Sequence, residues 1–277
     1  MAELTWAQVR RDAAADLRAA GVASAEAEAR WLVEEAAPDL DGPVTTRALA
    51  HLDAMLGRRL GGEPLQHVLG HWSFRSLELL VDHRVLVPRP ETELVAGAAI
   101  DELRRNEGTV AVDLGTGSGA LALAIAVEVP AARVWGVDRS SDALDVARAN
   151  LAGIGRAGAR VTLLEGDWFA ALPEELRGAI DVLVSNPPYV CDGDELPAEV
   201  RDWEPAGALF AGPDGLDDIR RIVAEAPRWL RRPGSLVVEH DPRQAAVVEQ
   251  LARDAGATEV KVHPDLTGRL RYLVARF

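Results

Sequence analysis

"TVAVDLGTGSGALALAIAVEV" (Thr109–Val129) carries a strand, a glycine-rich loop and a helix in twenty-one residues. "TVAVDLG" is a continuous apolar strand, and "SGALALAIAVEV" has the alanine and leucine content of a buried helix. Between them, Gly115, Gly117 and Gly119 let the backbone approach a ligand closely, and the helix N-terminus offers free N–H groups. The loop also satisfies the dinucleotide fingerprint as Gly115-x-Gly117-x-x-Ala120, so by itself it does not name the ligand.

The same alternation continues downstream. "ARVWGVD" is a strand, "SSDALDVARANLAG" a helix, and "RVTLLEGD" and "AIDVLVSN" are strands. After a proline loop come a helix over 216–230, the strand "SLVVEH", a helix over 244–255, and strands near 258–263 and 269–276. This order predicts an α/β domain with a mainly parallel sheet covered on both faces. Upstream, segments 3–20, 24–36 and about 44–60 have helical spacing, with Ser24 and nearby Glu28 marking one helix start. Alternating segments around Phe74–Val81 and Val85–Val87 predict a short hairpin. The expected organisation is a helical domain over 1–70, a hairpin linker over 71–88 and the α/β domain over 89–277.

The 277 residues carry a formal net charge of −14, which argues against a broad nucleic-acid-binding face. Nearly all the positive charge is arginine, Lys261 being the one lysine. A single cysteine, Cys191, excludes an internal disulfide and fits a reducing compartment. The charged N-terminus does not read as a signal peptide, and "GALALAIAVEVP" is too short to span a bilayer, so the expected location is the cytoplasm, without membrane contact.

Around the loop Val112–Ala120, with Thr116 and Ser118 among its residues, other groups suit a nucleoside ligand. Asp138 ends the next strand where a carboxylate would bind a ribose diol. Asp113, two residues before the first glycine, suits an ammonium group and repels a pyrophosphate, which favours S-adenosylmethionine over NAD. In "EGDWF" (Glu165–Phe169), Asp167 could bond an adenine amino group while Trp168 covers the ring face.

"DVLVSNPPYV" (Asp181–Val190) is the catalytic candidate. The lone pair of an amide or aromatic amino nitrogen is delocalised, so such a nitrogen is a poor nucleophile until it is oriented. The side-chain oxygen of Asn186 and the carbonyl of Pro187 can accept its two hydrogens. Pro187 and Pro188 stiffen the loop that carries these acceptors, and Tyr189 offers a flat wall to a planar group. Catalysis of this kind is positioning and needs no strong base.

The whole set of motifs "GEPLQHVLG", "VLVPRPETELV", "DLGTGSGALALA", "SNPPYV", "EPAGALFAGPDGLDDIRRI" and "DLTGRLR" resembles the release-factor glutamine methyltransferases (the HemK/PrmC family), over about residues 60–277. The preceding helices are similar to that family's N-terminal domain in size and position. The resemblance implies a Rossmann-like S-adenosylmethionine-dependent methyltransferase domain behind a small helical domain. It implies that Gly115 to Gly119, Asp138, Trp168 and Asn186 contact S-adenosylmethionine. It further implies that Asn186, Pro187, Pro188 and Tyr189 hold the glutamine of the Gly-Gly-Gln motif of class I peptide chain release factors. Methylation of nucleic-acid amino groups is the alternative.

The chain departs from the family pattern at Asp241, where glycine is usual after Glu239, at His67 in place of tyrosine, and at Arg75 in place of an aromatic residue. Arg89, Glu91 and Glu93 read as a helix start whose acids complement the dipole. Glu204-Pro205 is expected to shape the substrate loop. Cys191 reads as a bystander, and His67 with His71 lacks the further ligands of a metal site, so no metal is expected.

Overall fold

In the computed structural model, which describes residues 4–37 and 39–277, Thr5 caps the first helix. Its hydroxyl accepts from the Gln8 N–H at 3.3 Å, and the Gln8 side chain accepts from the Thr5 N–H at 3.0 Å. Helix α1 (Trp6–Ala19) therefore starts at Trp6; of the expected span, residue 3 lies outside the described residues. It is followed by α2 (Ala25–Ala36), α3 (Thr46–Leu60) and α4 (Leu65–Leu69). Trp6, Leu17, Leu32, Leu52, Met55 and Val68 are buried, as a helical spacing of apolar residues requires. A buried ion pair joins Arg59 Nε to Glu28 Oε2 at 2.6 Å.

The chain divides into two compact units. The first runs through His71 and also takes in Leu196–Trp203, far downstream in sequence. Arg59 reaches Glu199 of that segment at 3.3 Å. The second unit comprises Trp72–Glu195 and Glu204–Phe277.

The hairpin is placed differently from the expectation. It pairs β1 (His71–Phe74) with β2 (Leu77–Leu80), and Val85 and Val87 are buried without forming a strand. The turn lies at Arg75, whose φ of 53° is held from outside. Its N–H donates to Glu93 Oε1 at 3.1 Å, its guanidinium to the Glu93 carbonyl at 2.9 Å and to Glu128 Oε2 at 2.8 Å. Two residues, Glu93 and Glu128, oppose the strain of a left-handed arginine.

The remaining elements are α5 (Pro90–Arg105), β3 (Val110–Leu114), α6 (Ala120–Glu128), β4 (Arg133–Asp138), α7 (Ser141–Gly153), β5 (Val161–Glu165), β6 (Ile180–Ser185), α8 (Ala198–Arg201), α9 (Asp217–Trp229), β7 (Leu230–Glu239), α10 (Ala245–Asp254), β8 (Glu259–Pro264) and β9 (Leu270–Arg276). Seven strands form one sheet in the order β5-β4-β3-β6-β7-β9-β8. The first five are parallel, and β9 enters antiparallel between β7 and β8. The strand β3 is buried at every position because both faces are covered. Val110, Val112 and Leu114 join the core that contains Ile219, Ile222 and Val248, while Ala111 joins that of Val95, Ile100 and Leu123. The chain leaves β3 toward β4 on one side and meets β6 on the other, so a crevice opens at the C-terminal ends of β3 and β6.

Candidate active site

The parallel register sets Leu114 beside Ser185, which brings the glycine loop and the proline loop to one edge of the sheet. Ser185 Oγ donates to the Leu114 carbonyl at 2.6 Å and ties the two strand ends together. The glycine loop folds back on β4, with the N–H groups of Gly115 and Thr116 both donating to the Val137 carbonyl, at 2.8 and 2.9 Å. Gly115 has φ +75°, and a Cβ there would stand 3.1 Å from the Trp168 ring, so backbone and indole occupy the space a side chain would need.

A cavity of about 240 Å³ lies over these loops. Gly115, Thr116, Gly117 and Ser118 line it, together with Asp138, Asp167, Trp168, Asn186 and Pro188. Asp138 Oδ2 accepts from the Gly117 N–H at 2.8 Å and Oδ1 from the Ser140 N–H at 2.9 Å, which leaves lone-pair capacity on both oxygens for a diol. Asp167 is engaged with Arg221 at 2.5 Å. Trp168 is at once cavity wall and core, its Nε1 donating to Asp218 Oδ1 at 3.2 Å.

Asp113 and Gly119 do not line this cavity. Gly119 caps α6 in the left-handed conformation. Asp113 is fully buried, its Oδ2 accepting from the Thr116 hydroxyl at 2.6 Å and from the Ala122 N–H at 3.1 Å. It braces the loop against the helix N-terminus. Burial raises this carboxyl to about 7 against those two hydrogen bonds, and its Oδ1 has no partner.

On the opposite wall, Asn186 Nδ2 donates to Thr92 Oγ1 at 3.2 Å, while Asn186 Oδ1 is buried and without a partner. Thr92 Oγ1 donates in turn to Glu239 Oε2 at 2.7 Å, and Glu239 Oε1 accepts from the Tyr189 hydroxyl at 3.1 Å. Neither Pro187 nor Tyr189 lines the cavity; Pro187 is buried, and the Tyr189 hydroxyl turns inward to Glu239. Burial carries the Tyr189 hydroxyl well above its ordinary range. Gln244 Nε2 pins the far end of the proline loop, donating to the carbonyls of Tyr189, Asp214 and Gly215 at 2.9, 3.0 and 3.1 Å. Gly215 has φ +68°, and a Cβ there would fall 2.2 Å from the Tyr189 carbonyl oxygen.

Thr92, Glu239 and Gln244 join this site from outside its two loop motifs. Each left a signal: a threonine inside an acidic helix start, a carboxylate ending an apolar strand, and a glutamine just after it. The turn between the last two does not depend on glycine, because Asp241 sits at φ −65° and its carboxylate accepts from the Arg243 N–H at 2.8 Å. Arg89, read as a helix start, also holds a carboxylate, since its Nη2 donates to both oxygens of Glu204, at 2.7 and 2.9 Å. Arg139 Nη2 donates to the Gly207 carbonyl at 3.0 Å. These two cations hold the segment whose Pro205, Gly207 and Ala208 close the cavity. Cys191 is partly exposed, and burial with nearby Asp194 raises its thiol, which disfavours a thiolate nucleophile. Among the described residues no cluster of three His, Cys, Asp or Glu is arranged to hold a metal ion, and no helix is long and apolar enough to cross a membrane.

Comparison with known proteins places the chain in a family. A methyltransferase-domain family profile matches residues 105–267. The release factor glutamine methyltransferase of Mycolicibacterium smegmatis is 44% identical over 95% of this chain and 94% of its own. That of Streptomyces coelicolor is 42% identical over 93% and 92%, and that of Deinococcus radiodurans 40% over 95% of each. Among solved structures, the hMettl16 catalytic domain in complex with MAT2A 3′UTR hairpin 6 aligns with a TM-score of 0.59 at 13% identity, over 89% of this chain and 91% of that one, which is a likeness of fold. With its glycine loop, its Asn-Pro-Pro-Tyr loop and relatives matched over nearly their whole length, the chain belongs to the release factor glutamine methyltransferase family.

Proposed function

We propose that this protein methylates the side-chain amide nitrogen of the glutamine in the Gly-Gly-Gln motif of class I peptide chain release factors. The methyl donor is S-adenosylmethionine, which supplies an electrophilic methyl group on a sulfonium. The observation that carries this reading is Asn186: its amide nitrogen donates one hydrogen bond to Thr92, and its oxygen is buried, without a partner, in a residue that lines the cavity.

In this reading Asn186 Oδ1 and the Pro187 carbonyl accept the two amide hydrogens of the substrate, which fixes the plane of the amide. Holding a weak nucleophile in one attack geometry is worth several kcal/mol, on the order of what two preorganised acceptors supply. Pro188 and Tyr189 shape the loop around it. Asp138 takes the ribose hydroxyls, the loop from Gly115 to Gly119 carries the methionine portion, and Asp167 and Trp168 flank the adenine. Asp113 braces that loop from below. The proton released from the alkylated amide nitrogen is acidic enough to leave to water.

A helical domain over residues 1–70 would give the release factor a second surface, because a single loop tip offers little contact area. Direct nucleic-acid binding is not part of this reading. The test is incubation of the full-length protein with labelled S-adenosylmethionine and either a purified class I release factor or nucleic acid. Label is expected on the release factor and removed by protease. Label on nucleic acid, removed by nuclease, would favour methylation of base amino groups instead.

A further inference from the structure

We propose that Thr92 and Glu239 are positioning residues that decide which end of the Asn186 carboxamide faces the substrate. The inference rests on the function proposed above. A carboxamide has two ends of nearly equal size, and only its hydrogen bonds decide which way it points. Reversed, Asn186 would present an NH₂ group to the NH₂ group of the substrate, donor against donor.

The structure contains a chain that prevents this. Thr92 has one hydroxyl hydrogen, and Glu239 Oε2 takes it at 2.7 Å. The Thr92 oxygen is then left to accept, and it accepts from Asn186 Nδ2 at 3.2 Å. One N–H of the amide is held by Thr92, which fixes the nitrogen on that side, and Oδ1 is left for the substrate. Glu239 Oε1 accepts from the Tyr189 hydroxyl at 3.1 Å, so one carboxylate orders both ends of the proline loop. Thr92 and Glu239 stand 147 residues apart and are both buried, which makes the contact a product of the fold rather than of local sequence.

The direction of the chain depends on the charge of Glu239. An ionised carboxylate only accepts. A protonated one can donate to Thr92, whose hydrogen is then free to turn toward Asn186 and favour the reversed amide. The groups that act on Glu239 are Glu91 and Thr92 from α5, Tyr189 from the proline loop and Arg271 from β9, with Tyr272 of β9 as its strand partner. Burial, and secondly Glu91, raise the Glu239 carboxyl to about 7, against the hydrogen bonds from Thr92 and Tyr189 and the charge of Arg271. Activity is therefore expected to fall as pH drops through about 7.

The experiment uses the full-length protein with a purified class I release factor and S-adenosylmethionine. Thr92→Val removes the hydroxyl at nearly constant shape, Thr92→Ser keeps it, and Glu239→Gln removes the charge. Thr92→Val and Glu239→Gln should each lower kcat by about tenfold or more while the cofactor Kd stays within about twofold, and Thr92→Ser should stay within about threefold of wild type. The acid limb near pH 7 should disappear in Glu239→Gln. Independently of substrate, the side-chain amide resonance of Asn186, assigned by its loss in Asn186→Ala, should titrate near pH 7 in wild type but not in Glu239→Gln. Wild-type kcat in Thr92→Val, equal losses in Thr92→Val and Thr92→Ser, or an Asn186 resonance indifferent to Glu239 would each overturn the inference. A wild-type protein that fails to methylate the factor while the resonance titrates would overturn only the function on which it rests.

Discussion

Arg89 grips both carboxylate oxygens of Glu204 with one guanidinium nitrogen, at 2.7 and 2.9 Å, across 115 residues of chain. The Glu204 side chain is 1% exposed, so its charge is compensated inside the protein rather than by water. Arg89→Met removes that cation and frees the segment that closes the cavity. We expect a loss of about 1–3 kcal/mol in stability, below the usual cost of breaking a fully buried pair because Arg89 is partly exposed. A weaker affinity for S-adenosylmethionine should accompany it. Chemical denaturation and calorimetry check the two effects; unchanged cofactor affinity would show that this wall does not shape the cofactor site.

Asp138 organises the glycine loop through Gly117 and the start of α7 through Ser140. Asp138→Ala should weaken S-adenosylmethionine binding by roughly 1–3 kcal/mol, the cost of losing charged hydrogen bonds. The check is titration calorimetry, with NAD as the competing ligand. Tighter binding of NAD than of S-adenosylmethionine to the wild type would contradict the assignment of the cavity.

Asn186→Ala should fold and keep much of its cofactor affinity, yet lose methyl transfer by about two orders of magnitude or more. Single-turnover transfer to a release factor measures it. Near wild-type turnover would remove Asn186 from the acceptor role.

Asp113 makes stability depend on pH. An exposed aspartate ionises near its ordinary value of 3.8, whereas burial keeps the folded-state carboxyl protonated to about 7. Its stabilising contribution is therefore complete below the unfolded value and is lost as pH rises through 7. Asp113→Asn stays neutral throughout, so its Tm relative to wild type should rise between pH 4 and pH 8, by about 2–4 °C for each kcal/mol involved. Thermal melts across that range decide it, and a constant difference would show that Asp113 is ionised in the fold.

The helical unit contains a cavity of about 680 Å³ lined by Trp6, Ala37, Pro43, Arg47 and His51, among others. If this unit grips the release factor away from the glutamine, Arg47→Glu, which reverses a charge, with His51→Glu, which adds a negative one, should raise KM for the whole factor several-fold, on the order expected when rim charges are altered. KM for a short Gly-Gly-Gln peptide should not change. Equal effects on both substrates would assign the unit a structural role.

Sequence alone determined the features that depend on neighbours in the chain. The apolar runs of β3 and β6 require a sheet covered on both sides, because a strand with no polar face has none to give to water. The glycine loop and the Asn-Pro-Pro-Tyr loop were legible because backbone conformation there follows from residue type within a few positions. The hairpin was misplaced because its turn rests on Arg75 in a left-handed conformation, which only the distant Glu93 and Glu128 sustain.

Tertiary structure decided what joins residues far apart. The sheet order sets β6 against β3 and β7 against β6, and so brings Thr92, Asn186, Tyr189 and Glu239 into one hydrogen-bonded chain. It decided that Asp113 lies beneath the loop and outside the cavity wall, and that Leu196–Trp203 packs with helices far upstream. The physical reason is the same in each case. A buried polar group must find a partner, and which partner it finds depends on which strands become neighbours, a choice made by the packing of the whole chain rather than by any stretch of it.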